Sequence, residues 1–210
     1  MASVCIIMGS KSDEEKVAPC AEVLKKLGIS FFMTVSSAHR TPERTEKIVR
    51  EQEASGCRVF ICAAGMAAHL AGAVAARTTV PVIGIPISGT AFGGMDSLLS
   101  TVQMPPGFPV ATVACDKAGA RNAAWLAAQI LALGDSALRD RIGAERAKMR
   151  GGVEDAAAAI QEKYNASNEK SPGFPGLFFI TPFRRDTQKE KARIFRCRPL
   201  FVWWSWTELN

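Results

Sequence analysis

Short runs of apolar residues alternate along the chain with longer segments that mix apolar and polar positions. Each run is apolar at nearly every position, which is typical of strands that are buried on both faces of a parallel sheet. The pattern therefore predicts five strands, at Val4–Met8, Phe31–Val35, Val59–Ala63, Val82–Ile85 and Val110–Ala114.

The longer segments have the apolar spacing and the end signals of amphipathic helices. Ser12 followed by Glu15 predicts a capping box at the start of the first helix, and Gly28 predicts its end. Gly151 and Gly152 predict an interruption of the last helix, which then continues for a turn or two to Tyr164. The predicted helices cover residues 12–27, 42–55, 66–77, 96–102, 118–133 and 137–149.

The order of these elements predicts an α/β fold. Buried strands that alternate with helices form a parallel sheet covered on both sides. With right-handed crossovers, the five strands make a flavodoxin-like three-layer α/β/α sandwich with a five-stranded parallel sheet. The composition changes after the last helix, so we expect a domain over residues 1–166. A basic, Trp-containing extension over residues 167–210 is expected to be disordered or weakly packed.

The charge is distributed unevenly between these two parts. A net charge of +6 would suit a polyanionic partner, but residues 1–169 hold 18 basic and 17 acidic side chains. Residues 170–210 hold 8 basic and 3 acidic side chains. The almost neutral body argues against nucleic acid as its partner. The extension also holds Trp203, Trp204 and Trp206, which leaves single-strand nucleic-acid binding by this segment open as an alternative.

The cysteines and the N-terminal residues indicate a reducing compartment. The six cysteines form no C-x-x-C pair, and four lie in or beside apolar runs, where a thiol packs as a small hydrophobic group. The first residues lack the basic segment of a signal peptide, and no apolar stretch approaches the ~18–20 residues of a membrane span. We therefore expect a soluble, cytoplasmic protein with no membrane partner.

Polar and small residues follow the first three predicted strands, at the edge where an open parallel sheet binds ligands. Both histidines of the chain fall in these loops, and the fold would bring them together. The candidate site residues are Ser10, Ser12 and Asp13 in the first loop, Ser37, His39 and Arg40 in the second, and Ala64, Gly65, Ala67, His69 and Leu70 in the third.

The first two loops have the chemistry of an anion site with an acid–base group. The hydroxyls of Ser10 and Ser12 lie beside the start of a helix, which favours a phosphate, although Ser12 could equally be only a helix cap. Asp13 could accept hydrogen bonds from ribose hydroxyls or simply complement the helix dipole. Arg40 can bind a phosphate or carboxylate through two hydrogen bonds, and His39 can transfer protons near neutral pH.

The third loop and several missing motifs narrow the chemistry. Gly65 and Ala67 let the backbone approach a flat ligand, although small residues there also suit tight helix–sheet packing. The chain lacks a P-loop, a dinucleotide-binding glycine motif and a nucleophile elbow. Two histidines without an accompanying group of cysteines or carboxylates make a poor metal site, so we expect no metal.

Five motifs, which occur in a fixed order along the chain and include these loops, point to one protein family. They read MGSKSD, SAHRTP, AAGMAAHLAG, PVIGIP and DSLLSTVQMPPGFPVATV. In this order, from about Val4 to about Leu133, they closely resemble the catalytic subunit family of phosphoribosylaminoimidazole carboxylase in its bacterial form, the N5-carboxyaminoimidazole ribonucleotide mutases. The resemblance implies a flavodoxin-like enzyme that needs neither a metal nor a cofactor.

The resemblance also implies a reaction. Members of the family move a carboxylate from the exocyclic nitrogen to ring carbon 4 of an aminoimidazole ribonucleotide, a step of de novo purine (IMP) biosynthesis. Asp13 would then bind the ribose hydroxyls, and His39 would shuttle the proton between nitrogen and carbon. The loop from Gly65 to Leu70, with His69, would line the pocket for carbon dioxide and the imidazole. The residues implied to hold the 5′-phosphate are Ser10, Ser12, Ser37 and Arg40.

An assembly and a partner are implied in the same way. The family forms octamers whose active sites combine neighbouring subunits, so we expect a homo-octamer with residues 89–107 as a lid and interface segment. We also expect functional coupling to an ATP-dependent carboxyaminoimidazole ribonucleotide synthase. The chain departs from the family pattern at Met66, where a small residue is usual, and at Ala71, where proline is frequent. It also has Cys62-Ala63 before Ala64-Gly65, where the family has a glycine-alanine-glycine run.

Three other functions remain as alternatives. A second subclass of the family carboxylates the unmodified ribonucleotide directly with carbon dioxide. Arg40 and Pro42, together with the AAHLAG motif, favour the mutase type over it. A receiver module shares the architecture and would use Lys117, but it needs acidic residues at the ends of the first and third strands, and neither strand ends in one. A flavin-binding electron carrier would be excluded by a colourless purified protein.

Overall fold

A five-stranded parallel sheet forms the centre of the fold in the computed structural model, which describes residues 2–165. The strand order is β2-β1-β3-β4-β5, with every neighbouring pair parallel. This is the flavodoxin-like order, and it confirms the predicted fold class. The strands are β1 (Val4–Met8), β2 (Phe31–Val35), β3 (Val59–Gly65), β4 (Val82–Ile87) and β5 (Ala111–Thr112).

Two hydrophobic clusters fill the space between the sheet and the helices on its two faces. Side chains alternate along each strand, so Ile6 lies in one cluster and its neighbour Ile7 in the other. The first cluster includes Leu24 and the second includes Phe60, both fully buried. Burial of one such side chain stabilises the fold by about 1.5–3 kcal/mol. The helices are α1 (Glu14–Lys26), α2 (Pro42–Ala54), α3 (Leu70–Ala75), α4 (Met95–Val102), α5 (Asp116–Leu131) and α6 (Ser136–Asn165).

The start of α1 differs from the prediction. The capping box from Ser12 to Glu15 does not form, because Lys11–Asp13 is a separate 3-10 turn and α1 begins at Glu14. Ser10 caps this turn by accepting a hydrogen bond from the Ser12 N–H at 3.3 Å. The polar loop after β1 is therefore longer than the sequence pattern indicates.

The loop after β3 is also longer than predicted. The third helix was expected to begin at Met66, but α3 begins at Leu70, and β3 extends to Gly65. Met66 has a φ of 56°, in the left-handed region that no residue of a right-handed helix can adopt. The four residues between β3 and α3 are consequently free to line a site.

Two predictions near the C-terminal end of the described residues are wrong. The helix α6 runs without a break through Gly151 and Gly152, because each glycine lowers helix stability by only about 1 kcal/mol and the alanine-rich segment that follows favours helix. The fifth strand has two residues instead of five, since among the described residues β5 lies at the edge of the sheet and pairs with β4 alone. The predicted extension over 167–210 lies outside the described residues. Met1–Lys163 forms one compact unit.

Candidate active site

A cavity of about 740 Å³ opens at the carboxyl edge of the sheet, where β1 to β4 end. All eleven candidate site residues predicted from the sequence contribute to its lining. They are Ser10, Ser12, Asp13, Ser37, His39, Arg40, Ala64, Gly65, Ala67, His69 and Leu70. The parallel sheet brings the three loops together because the ends of neighbouring strands meet at one edge.

The loop after β1 presents two hydroxyls and one carboxylate to the cavity. The Ser12 hydroxyl donates to Ser10 Oγ at 2.8 Å and is 3.3 Å from Asp13 Oδ1. Burial raises the pKa of Asp13, against the lowering effect of the hydrogen bonds from Ser12 and the Ser10 backbone and of the charge on Lys16. The two serine hydroxyls bond to each other, and both could instead donate hydrogen bonds to an anion bound beside them.

The loop after β2 is a tight turn that fixes Arg40. Thr41 closes the turn, because its N–H donates to the Ser37 carbonyl at 2.9 Å and its Oγ1 accepts from the Ser37 N–H at 3.0 Å. The Arg40 N–H donates to Ser37 Oγ at 3.2 Å, and its guanidinium donates to the Gly9 carbonyl at 3.4 Å. The guanidinium is exposed and lines the cavity beside the first loop, so a phosphate could reach both.

The two histidines of the chain are hydrogen-bonded to each other in the cavity. His39 Nε2 and His69 Nδ1 are 2.8 Å apart, and the rings meet edge to face with centroids 4.9 Å apart. Such a bond requires a proton on one nitrogen and none on the other. One of the two nitrogens therefore donates the proton of this bond and the other accepts it, at the cavity wall.

The loop after β3 supplies the small residues of the wall. A Cβ added at Gly65 would be 3.0 Å from the Ile87 carbonyl oxygen, so only glycine lets β3 and β4 end at this spacing without adjustment. Leu70 is buried, whereas Met66 is 70 % exposed. The exposed Met66 also contributes to the cavity lining.

One wall and one cation of the cavity were not among the predicted site residues, although residues 89–107 were expected to form a lid and interface segment. Ile87, the last residue of β4, also lines the cavity, together with Ser88, Gly89 and Thr90 in the loop that follows and Lys16 of α1. The loop after β4 lies at the same sheet edge as the three loops that were considered, so the same rule would have found it. Lys16 had no comparable signal, because its contacts to Ser88 join residues 72 positions apart.

The described residues contain no group of three or more side chains suited to hold a metal ion. Among them, no helix is both long and apolar enough to cross a membrane.

The family model described as AIR carboxylase matches residues 3–151. An N5-carboxyaminoimidazole ribonucleotide mutase from Brucella melitensis is 52% identical over 139 residues, which cover 66% of this chain and 86% of that protein. One from Methanocaldococcus jannaschii is 46% identical over 161 residues, or 77% of this chain and 99% of that protein. The solved structure of Treponema denticola PurE has a TM-score of 0.69 and 29% identity, covering 75% of this chain and 98% of that one. These matches confirm the family predicted from the five motifs, and the chain belongs to the AIR carboxylase family.

Proposed function

We propose that the chain isomerises N5-carboxyaminoimidazole ribonucleotide to 4-carboxyaminoimidazole ribonucleotide, a step of de novo purine biosynthesis. The observation that carries this proposal is the His39–His69 pair, set in a cavity that is also lined by hydroxyl groups and a guanidinium group. The names of the relatives support the same reaction.

The rim of the cavity fits the substrate's 5′-phosphate. The hydroxyls of Ser10, Ser12 and Ser37 and the guanidinium of Arg40 lie on one side of it and offer neutral and charged donors together. Asp13 follows directly and accepts hydrogen bonds from the ribose hydroxyls. Binding at these groups places the imidazole ring toward the histidine pair and the small residues of the third loop.

The reaction needs one proton to move in the direction opposite to the carboxylate. The N–C bond of the carbamate breaks, carbon dioxide leaves, and His39 donates a proton to the exocyclic nitrogen. Ring carbon 4 then attacks the carbon dioxide, and the same imidazole removes the proton from that carbon. The proton is returned, so the cycle is an isomerisation without ATP or a redox partner.

His69 keeps His39 in position for both transfers. Its Nδ1 lies 2.8 Å from His39 Nε2 and can share the proton while the ring awaits substrate. The small side chains of Ala64 and Ala67 leave room for a flat ring and for the transient carbon dioxide. Exclusion of water from this space would keep the carbon dioxide beside the ring.

A homo-octamer is part of the proposal. The segment that follows the cavity wall exposes a row of apolar side chains, whose exposed fractions are 74 % for Phe92, 56 % for Met95, 49 % for Leu99 and 47 % for Phe108. Exposed apolar patches of this kind mark association surfaces. A second copy on this surface would cover the cavity as well, because the segment begins at the wall formed by residues 87–90.

The cellular setting follows from the chemistry. The cysteines of the described residues are free thiols and four of them are buried, which suits the reducing cytoplasm. The substrate is an unstable carbamate, so we propose functional coupling to an ATP-dependent carboxyaminoimidazole ribonucleotide synthase that supplies it.

The test is a direct isomerisation assay with freshly prepared N5-carboxyaminoimidazole ribonucleotide, without ATP, metal or bicarbonate. We expect conversion to the 4-carboxy isomer, followed by its ultraviolet absorbance. A parallel assay offers aminoimidazole ribonucleotide and carbon dioxide. Turnover confined to that second assay would assign the chain to direct carboxylation, and no turnover in either, with folding confirmed, would refute the proposal.

A further inference from the structure

The ion pair between Lys16 and Asp116, beside the cavity, forms hydrogen bonds with all three polar groups of Ser88. Lys16 Nζ donates to the Ser88 carbonyl at 2.7 Å and to Ser88 Oγ at 3.2 Å. Asp116 lies 3.0 Å from the same ammonium and accepts from the Ser88 N–H at 2.9 Å. The Ser88 hydroxyl also donates to Asp116 Oδ2. The pair therefore holds the backbone of Ser88 at both its N–H and its carbonyl.

The backbone of Asp116 indicates that this arrangement is maintained by its surroundings. Its φ is 55°, in the left-handed region, where residues other than glycine are strained. Such a conformation persists where neighbouring contacts over-determine it. Those contacts are the Lys16 ammonium and the Ser88 N–H and hydroxyl. Gly119, one turn further on, packs so tightly that an added Cβ would be 1.6 Å from the Ala114 carbonyl oxygen.

The segment held by this pair has little stiffness of its own. It begins where β4 ends, and Gly89, Gly93 and Gly94 have φ values of 132°, 61° and 90°. Glycines in this region give the chain more conformational freedom than other residues. Ser88, Gly89 and Thr90 nevertheless form one wall of the cavity. A defined wall at this place needs an anchor from outside the segment.

The contacts of Lys16 argue against a direct role in substrate binding. An ammonium group has three N–H donors. Among the described residues the Lys16 ammonium contacts the Ser88 carbonyl, Ser88 Oγ and Asp116 Oδ1, one for each donor. Its positive charge is compensated by Asp116. Arg40, which also lines the cavity, has no such carboxylate among its described contacts and suits an anion better.

We propose that Lys16 and Asp116 clamp Ser88 and thereby position the 88–90 wall against the bound ribonucleotide. Both are positioning residues, and this role rests on the mutase function proposed above. Removal of either residue leaves the proton chemistry at His39 intact but leaves the wall unanchored. The variants should therefore bind the substrate more weakly, with a higher KM, while kcat stays nearly unchanged.

The test compares Lys16→Met and Asp116→Gly, singly and together, with the wild-type chain. Glycine suits the φ of 55° at position 116, so this change removes the carboxylate without adding backbone strain. Lys117→Met is the matched control, because Lys117 also joins α5 to α1, through Glu15, but does not line the cavity. We expect KM to rise about tenfold in each clamp variant, with kcat changed less than about twofold, and the double variant to be no worse than either.

Amide hydrogen exchange at Ser88–Thr90 tests the clamp without relying on activity. We expect exchange there to speed up at least about tenfold in both clamp variants, with the chain still folded, and to stay unchanged in Lys117→Met. Unchanged exchange or unchanged KM would overturn the proposal. A lower KM in Asp116→Gly would also overturn it, because that result would show a freed Lys16 binding the substrate directly. A wild-type chain without turnover would refute the mutase function, while exchange would still decide the clamp.

Discussion

Replacement of His39 by asparagine removes the proposed proton carrier and little else. Proton transfer by a positioned side chain contributes about 10²- to 10⁴-fold to the rate. At about 1.36 kcal/mol per tenfold, this is a loss of about 2.7–5.4 kcal/mol of transition-state stabilisation. The side chain is exposed, and His69 Nδ1 is its hydrogen-bond partner among the described contacts. We therefore expect the free energy of unfolding to change by less than about 0.5 kcal/mol.

Substrate binding should survive the same change. The proposed phosphate site depends on contacts from the Arg40 N–H and side chain to Ser37 Oγ and from the guanidinium to the Gly9 carbonyl. None of these involves the imidazole of His39. Titration calorimetry with aminoimidazole ribonucleotide should therefore give a Kd within about threefold of the wild-type value.

The comparison variant is His69→Asn, which removes the partner of His39 but leaves His39 itself. We expect its kcat to fall less than that of His39→Asn, and the double variant to match His39→Asn, because the two imidazoles act as one unit. Stopped assays of kcat and calorimetry of all three variants decide the matter. A His39→Asn enzyme with a kcat near the wild-type value, or one that has lost nucleotide binding, would refute this reasoning.

Three further predictions concern stability and the extension. Gly84→Ala places a Cβ 2.3 Å from Thr101 Cγ2. We expect this clash to lower the free energy of unfolding by about 1–3 kcal/mol and the Tm by about 2–4 °C for each kcal/mol lost. An unchanged Tm in calorimetry would contradict this. Burial raises the pKa of Asp116, but hydrogen bonds from Ser88 and Lys16 outweigh this and hold it below its ordinary value. The ion pair therefore stabilises the fold at pH values above the pKa of Asp116 in the unfolded chain. Urea unfolding should show a lower free energy of unfolding for Asp116→Asn than for the wild type, and this difference should vanish as the pH falls through the pKa of Asp116 in the folded chain. A difference that does not change with pH would contradict this prediction. Deletion of residues 169–210 should preserve activity and assembly, and a truncated chain that fails to fold would show otherwise.

The sheet and the loops at its edge could be predicted because their signals are local. Each strand is a run of apolar residues, and helix ends such as Gly28 and Gly56 have φ values of 70° and 92°, as a glycine stop requires. The start of α3 could not be predicted, because the left-handed φ of Met66 has no signature in a run of small residues. The predicted break at Gly151 and Gly152 was wrong for the opposite reason, since two unfavourable residues do not end a long helix whose other residues favour it.

The residues of the candidate site also fall into those that the sequence could predict and those that it could not. The residues of the three loops could be predicted because each directly follows a strand, and their common lining of one cavity follows from the parallel topology. The Lys16–Asp116 pair could not be predicted, because the two residues are far apart in the sequence and only the tertiary packing of α1 against α5 brings them together. A lysine in the first turns of a helix has by itself the pattern of a solvated surface residue.

The most direct test of the account is to follow the carboxylate itself. The substrate is prepared with carbon-13 in its N-carboxylate and is converted in buffer that contains excess unlabelled carbon dioxide and bicarbonate. If the carboxylate moves from nitrogen to carbon within the cavity, the 4-carboxy product keeps nearly all of the label. A product whose carboxylate has the isotopic composition of the buffer would contradict transfer within the cavity and would assign the chain to direct carboxylation.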